Sequence, residues 1–314
     1  MISENYVIET KDLTKSFGDF VAVDNLNLKI KEEEIFGFLG PNGAGKTTAI
    51  RMMVGLLSPT RGTVLMRDDD EKSELKIGIC PQDLVFWDGL TSYENIYFMG
   101  KMYNMPKKSL RSKAEKILSD LNLSDKRDNL ASELSGGMKR RLNLGISLIH
   151  DPDILVLDEP SAGLDPQSRY DLWEYISRLS GKKNKTVILT THLMEEADRL
   201  SDRVAIMDRG ELLTVDSPER LKRSVGEGDS ITIDLKDPDR NMEALDIIKS
   251  IEGVLEASQA DGSLFLRALD AVGQVTRFTE ALEDKGFQIS DVSISRTNTL
   301  EDVFIHLTGK EFEG

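Results

Sequence analysis

At 314 residues and 35.1 kDa the chain exceeds one typical domain, and its 39% hydrophobic and 30% charged residues describe a globular protein with room for a substantial core. No apolar run approaches the ~18–20 residues needed to cross a bilayer, so a membrane step requires another chain. A net charge of −15 argues against a polyanion held on a broad basic face, and no nucleic-acid partner is expected.

The acidity is uneven. From Gly226 to the end there are 19 acidic against 8 basic residues, which reads as a solvated acidic surface. The single cysteine, Cys80, excludes an internal disulfide, suits the cytoplasm and reads as a small core hydrophobe on a strand. Met1-Ile-Ser-Glu-Asn-Tyr6 has neither a basic nor an apolar leader region, so no secretion signal is expected.

In chain order, Tyr6 to Glu9 and Val21 to Ile30 alternate with period two and predict strands. Phe17 falls in the turn between them, where an exposed aromatic could fold back onto an adenine ring. The apolar run Glu34 to Leu39, the loop Gly40-Pro-Asn-Gly-Ala-Gly-Lys-Thr47 and a helix predicted over Thr48 to Leu57 form the strand, glycine loop and helix start of a P-loop. Gly40, Gly43 and Gly45 let the backbone wrap around a phosphate chain and aim N–H groups at it, aided by the helix N-terminus. Lys46 would reach the terminal phosphates and Thr47 would ligate Mg²⁺; Asn42, Ala44 and Thr48 complete the loop.

Ser58 to Thr63 reads as a turn, Arg67 to Glu74 as a solvated loop, and Leu75 to Cys80 as a short strand ending at Pro81-Gln82-Asp83. From Leu84 to Ser132 the pattern is helical, with Leu110, Ala114, Ile117, Leu118 and Leu121 on one face. This is an inserted helical subdomain, about 84–150. Leu134-Ser-Gly-Gly-Met138 opens a helix over Lys139 to His150. Ile154-Leu-Val-Leu-Asp-Glu159 is a buried parallel strand delivering carboxylates at its end. Asp165-Pro166 caps a helix striped by Leu172, Tyr175, Ile176 and Leu179; a strand over Thr186 to Thr190 leads to His192; and Arg203 to Val215 forms a hairpin.

Ser217-Pro218 caps a short helix, and Gly226 to Asp229 reads as a linker. Beyond it, strands at 230–236, 253–258, 263–268 and 287–295 and helices at 241–251 and 271–285 give the order βαββαβ, with a last helix from Thr299. The expected fold is an α/β P-loop NTPase over residues 1–225, followed by a small α+β ferredoxin-like domain over 226–314.

Hydrolysing a terminal phosphate requires neutralised charge, a positioned water and a group to orient that water. Lys46, Thr47 and Asp158, with Mg²⁺, would supply the first. Glu159, a carboxylate at a dry strand terminus, is placed to orient or deprotonate the water. Gln82 could touch metal and water through its amide, and His192 could donate to the γ-phosphate and hold the water. Ser135 with the N–H groups of Gly136 and Gly137 makes an anion site at a helix N-terminus, with no partner for its chemistry in its own loop.

In these residues the chain resembles a nucleotide-binding subunit of the ABC transporter family over roughly Tyr6 to Leu221. Gly40 to Thr47 matches the Walker A motif, Gln82 the Q-loop, Leu134 to Met138 the signature motif and Ile154 to Glu159 Walker B. Ser161 to Asp165 matches the D-loop, His192 the switch histidine, and Phe17 the adenine-stacking aromatic.

The resemblance implies ATP as ligand and a head-to-tail dimer in which Ser135 and Gly137 of one subunit close on ATP held by the other. Gly136 and Asp165 are carried over with them as nucleotide contacts. Met138 departs from the Gln usual at its position, which implies a looser helix and at most a rate effect. Asn298 to Thr308 and Trp87 to Thr91 resemble the DrrA-like branch, ATPase subunits of ABC-2 type exporters. Its extra C-terminal domain is expected to pair or regulate subunits.

The expected partners are a second ATP-binding subunit, identical or closely related, and an integral membrane permease, with the chain peripheral on the inner face of the cell membrane. The aromatic stretch Phe86, Trp87, Tyr93, Tyr97 and Phe98 would combine subdomain core with a groove for a permease helix. A soluble ABC ATPase acting on ribosomes or DNA is the alternative, disfavoured by one cassette, one cysteine and an acidic tail. A non-hydrolysing module is disfavoured by intact Lys46, Asp158, Glu159 and His192.

Overall fold

Three strands with no solvent-facing residue run side by side in the main sheet, and burial on both faces is what their unbroken apolar runs require. The computed structural model describes residues 6–67, 75–183, 185–225, 228–260, 262–268, 271–295 and 298–310. Met1–Asn5, most of the predicted loop at 67–74 and the first half of the expected linker, Gly226 and Glu227, lie outside them.

The chain divides between Val215 and Asp216 into two units. The first opens with long antiparallel strands β1 (Tyr6–Phe17) and β2 (Phe20–Lys31), followed by β3 (Ile35–Leu39), α1 (Lys46–Met53), β4 (Arg61–Met66) and β5 (Ile77–Cys80). Three helices come next, α2 (Ser92–Met102), α3 (Lys107–Asp120) and α4 (Gly136–Leu148). The unit closes with β6 (Ile154–Asp158), α5 (Pro166–Lys183), β7 (Thr186–Thr191), α6 (Met194–Leu200), β8 (Arg203–Asp208) and β9 (Glu211–Asp216).

The main sheet has the order β5-β6-β7-β3-β8-β9, with parallel pairing from β5 through β8. Arg209 and Gly210, at φ 49° and 84°, make the tight turn into β9. A separate sheet has the order β2-β1-β4. Its third strand corrects the turn expected at Ser58 to Thr63: β4 starts at Arg61, and Gly62 lies so close to β1 that a Cβ there would meet Asp12 O at 2.2 Å. The glycine that reads as a turn signal is there for a close backbone approach. The helix after the loop starts at Lys46 and ends at Met53, shorter than the Thr48 to Leu57 expected, because the chain turns away at Gly55 with φ 77°.

On α3, Leu110, Ala114, Ile117 and Leu118 are all buried, and they share one core with α4, α5, β6 and β7. Cys80 is buried there too, and burial pushes its thiol up to about 12, so it behaves as an inert core residue.

The second unit comprises α7 (Pro218–Ser224), β10 (Asp229–Leu235), α8 (Asn241–Lys249), β11 (Val254–Ala260), β12 (Ser263–Ala268), α9 (Ala271–Glu283), β13 (Ile289–Ser295) and α10 (Leu300–Thr308). Its antiparallel sheet has the order β11-β12-β10-β13. Ala244, Leu245 and Ile248 of α8 and Phe278 and Leu282 of α9 cover one face against Ile231, Ile233, Leu264 and Leu266. Thr299 and Asp302 form a capping box at the start of α10. Among the described residues no helix is long and apolar enough to cross a membrane.

Leu155, fully buried on β6, tests how strongly the first unit depends on this sheet. Leu155→Ala is expected to cost about 2–5 kcal/mol of stability in urea melts; a loss under 1 kcal/mol would place the stabilising core elsewhere.

Candidate nucleotide site

The loop between β3 and α1 wraps tightly because its conformation excludes most side chains. Gly45 has φ 99°, and a Cβ there would meet Ala22 O at 2.4 Å. Ala44 N donates to Pro41 O at 3.2 Å, and Ala44 O accepts from Gly210 N at 3.1 Å, which ties the loop to the β8–β9 turn. Gly40 and Ala44 are buried, while Asn42 and Gly43 are exposed at the tip. Lys46 opens α1 and its ammonium donates to Gly40 O at 2.6 Å and Pro41 O at 3.0 Å. Burial lowers its pKa from the ordinary 10.5, and the neighbouring charges of Glu159 and Asp158 oppose that shift. Thr47 and Thr48 follow, half-buried, in the first turn.

The C-terminal end of β6 meets this loop. Thr47 Oγ1 donates to Asp158 Oδ1 at 2.9 Å, and Thr190 Oγ1, from β7, donates to the same oxygen at 2.6 Å. Glu159 N donates to Thr190 Oγ1 at 3.0 Å, so one threonine holds both members of the acidic pair. Glu159 has φ 48°, a left-handed value that ends the strand there. Its Oε2 lies 3.0 Å from His192 Nδ1, the first side chain beyond β7. A hydroxyl and a carboxylate in contact form the hard oxygen donor set that suits Mg²⁺ beside phosphates.

The other predicted residues are spread more widely. The Gln82 side chain is exposed, while its carbonyl accepts from Arg140 Nη1 at 2.6 Å. Phe17 ends β1 as an exposed ring with Lys15 Nζ 5.1 Å from its centroid. Ser135 is the N-cap of α4, its Oγ accepting from Met138 N at 3.4 Å. Gly136 is exposed, and Gly137 packs so tightly on α5 that a Cβ would meet Ser168 Oγ at 2.6 Å.

Met138, where the resemblance implies Gln, is half-buried and packs against the apolar core. Asp165 is the N-cap of α5, accepting from Ser168 N at 2.9 Å and Ser168 Oγ at 2.7 Å; the Ser168 N–H holds its carboxyl below the ordinary value. Thus Lys46, Thr47, Asp158, Glu159 and His192 come together, and no described hydrogen bond joins Ser135, Gly136 or Gly137 to the phosphate loop.

Thr190, Arg140 and Glu196 also hold these segments, and no motif in the sequence marks them. Glu196, buried on α6, accepts from Trp173 Nε1 at 2.8 Å and from Ser161 Oγ, while Trp173 Nε1 lies 2.7 Å from Ser161 Oγ. This joins the segment beginning at Ser161 to the helix just after His192. Glu196 sits four residues beyond His192 on a short acidic helix, where nothing in its residue type marks it as buried.

An ATPase of the P-loop class is what this sheet, loop and acidic strand end define. Residues 23–162 match the family model described as "ABC transporter". The chain is 33% identical to the daunorubicin resistance ATP-binding protein DrrA2 of Streptomyces coeruleorubidus, covering 99% of this chain and 97% of that one. It is 35% identical to the Nod factor export ATP-binding protein I of Paraburkholderia xenovorans, covering 98% of each chain. Against ABC transporter A family member 7 of Dictyostelium discoideum the identity is 38% over 92% of this chain, which spans 35% of that longer protein.

Among solved structures, cbiO1 from Clostridium perfringens, part of the ABC transporter complex cbiONQ, aligns with a TM-score of 0.63 at 26% identity over 69% of this chain and 91% of that one. A dimeric, post-hydrolysis ATP-binding cassette bound to ADP and Pi aligns at 0.59, with 27% identity over 67% of this chain and 98% of that one. The chain belongs to the ABC transporter ATP-binding family, and it is an ATP-binding, ATP-hydrolysing transporter subunit.

Burial raises the Glu196 carboxyl above the ordinary 4.5, against hydrogen bonds from Ser161, Thr191 and Trp173 that favour ionisation. A carboxyl with a raised folded pKa contributes most below its unfolded value, and that contribution is lost as pH rises through the folded value. Glu196→Gln is therefore expected to lose less stability than wild type between pH 4.5 and neutrality in urea melts at stepped pH. Equal losses would show that Glu196 ionises as freely folded as unfolded.

Proposed function

We propose that the chain drives export by a separate membrane permease, working as one of two ATP-binding subunits that close head to tail on ATP. Export is supported by the names of the two full-length relatives, a drug-resistance and a Nod factor export ATP-binding protein. Pairing is supported by the dimeric ADP- and Pi-bound cassette of similar fold. The observation that carries the hydrolytic reading is the contact between Glu159 and His192 beside the Lys46–Thr47–Asp158 cluster.

In this reading Gly40, Asn42, Gly43, Ala44, Gly45 and Thr48 wrap the phosphates, and Lys46 offsets their charge. Thr47 and Asp158 would hold Mg²⁺, with Gln82 as a further candidate ligand, and the ion would supply Lewis-acid neutralisation of phosphate charge. Glu159 takes the proton of the attacking water, and His192, fixed by its contact with Glu159, holds that water with Gln82. Phe17 stacks on adenine. Ser135, Gly136, Gly137 and Asp165 complete the partner's site from outside, which fits the exposed N-terminus of α4.

Leu84, Val85, Trp87, Phe98 and Met102 are exposed apolar side chains of the helical subdomain, and Trp87 and Phe98, 42% and 44% exposed, meet edge to face at 4.8 Å to make a small apolar surface. Asn95 fixes the segment, accepting from Trp87 N at 2.8 Å and donating to Trp87 O at 3.0 Å. A short apolar helix of the permease is the partner such a surface fits. The second unit is read as ferredoxin-like, supported by its βαββαβ order and its β11-β12-β10-β13 sheet, and the role proposed for it is pairing or regulation of subunits.

Glu159→Gln is expected to keep ATP binding, lower turnover by about 10²-fold or more and accumulate as an ATP-dependent dimer. A variant that stays monomeric with ATP and Mg²⁺ in sedimentation would oppose shared sites. Tagged wild-type protein drawn from host membranes should bring a polytopic membrane protein with it. Recovery of ribosomal or repair proteins alone would leave the ATPase and overturn transport.

A further inference from the structure

Arg140 lies in the second turn of α4, 4% exposed, and its guanidinium donates to backbone carbonyls on two separate segments. Nη1 reaches Gln82 O at 2.6 Å and Pro81 O at 3.3 Å, Nη2 reaches Glu159 O at 2.5 Å, and Nε reaches Pro160 O at 2.8 Å. Asn143, three residues on, adds a second grip: its Nδ2 donates to Pro81 O at 3.3 Å and its Oδ1 accepts from Val85 N at 3.0 Å.

A buried charge must be compensated, and here compensation comes from main-chain oxygens at the two places that end in Gln82 and Glu159. The planar fork of arginine can serve both segments at once, whereas lysine is a point charge on a flexible stem. The same helix begins with the Ser135 to Gly137 turn. One side chain therefore joins the surface offered to a partner's nucleotide to the two residues assigned to water in the chain's own site.

We infer that Arg140 is a positioning residue that makes α4, the Gln82 segment and the end of β6 move as one body, so that engagement of the partner at Ser135 to Gly137 sets Gln82 and Glu159 for hydrolysis. This rests on the shared-site reading above. Other interactions anchor α4 by packing, but none of the described hydrogen bonds outside Arg140 links α4 to the Glu159 and Pro160 carbonyls.

The test uses full-length Arg140→Lys and Arg140→Gln, each alone and combined with Glu159→Gln. Titration with a fluorescent ATP analogue should give a monomer affinity within about twofold of wild type, because Lys46, Thr47 and Phe17 are untouched. Turnover at saturating ATP should fall about tenfold or more, since small misplacements of catalytic groups are costly. ATP-dependent dimerisation of the double variants should weaken about tenfold relative to Glu159→Gln alone.

Folded variants with wild-type turnover and dimer affinity would overturn the inference. So would a loss of nucleotide affinity that simply tracks a fall in melting temperature, the sign of a merely structural role. If neither variant folds, hydrogen exchange on Glu159→Gln decides: ATP should protect 135–140 and 81–85 together, and protection of one segment alone would sink the coupling. Failure of Glu159→Gln itself to dimerise would instead remove the shared-site reading, while the turnover of the single variants would still decide whether Arg140 holds Gln82 and Glu159 in place.

Discussion

Lys46, Asp158 and Glu159 place one positive and two negative charges where little water reaches, at 5%, 9% and 8% exposure. None of them is tolerable alone at such depth, because a buried charge without compensation costs several kcal/mol. Burial lowers the lysine pKa and the two carboxylates resist that shift, so each group makes the others affordable. The arrangement survives only while the ends of β3, β6 and β7 stay in fixed register, and the parallel pairing of those strands fixes it. Thr190, near the C-terminal end of β7, joins the two acids with a single hydroxyl. Rigidity of the sheet and the chemistry of its edge are therefore one requirement.

Around this edge the remaining elements act mainly as positioning devices. Buried polar side chains, rather than more apolar packing, set the connections: Arg140 and Asn143 hold the segment after β5, Asn95 holds the Trp87 loop, and Glu196 joins α6 to Ser161 and Trp173. Each ties main-chain or side-chain groups of one segment to another. Loops that need to keep a defined shape without regular structure are stabilised in this way.

Much of the fold was legible in the sequence, because fully buried parallel strands leave unbroken apolar runs: β3, β6 and β7 could be placed to within a residue or two. The glycine loop was equally legible, since its φ values exclude most other residues. What escaped notice depended on distant backbone. β4 hid behind a glycine whose purpose is the approach of β1. Arg140 resembles its neighbours Lys139 and Arg141 in sequence, and only folding decides which of the three points at Gln82 and Glu159. Glu196 lies in an acidic helix where a solvated carboxylate is the ordinary expectation, and only the indole of Trp173 and the hydroxyl of Ser161 reveal that it is buried.

The backbone of Glu159 carries one further consequence. A non-glycine residue with φ 48° departs from extended geometry, and such a conformation costs on the order of 1–3 kcal/mol. Glycine or asparagine would adopt it more easily, so the most comfortable residue at position 159 is not the one present. The strand ends at this turn, and the charges of both Asp158 and Glu159 favour the charged form of Lys46. A sequence optimised for folding alone would drift away from glutamate here, and a stabilised variant that replaced it would gain a more relaxed backbone while losing the second carboxylate.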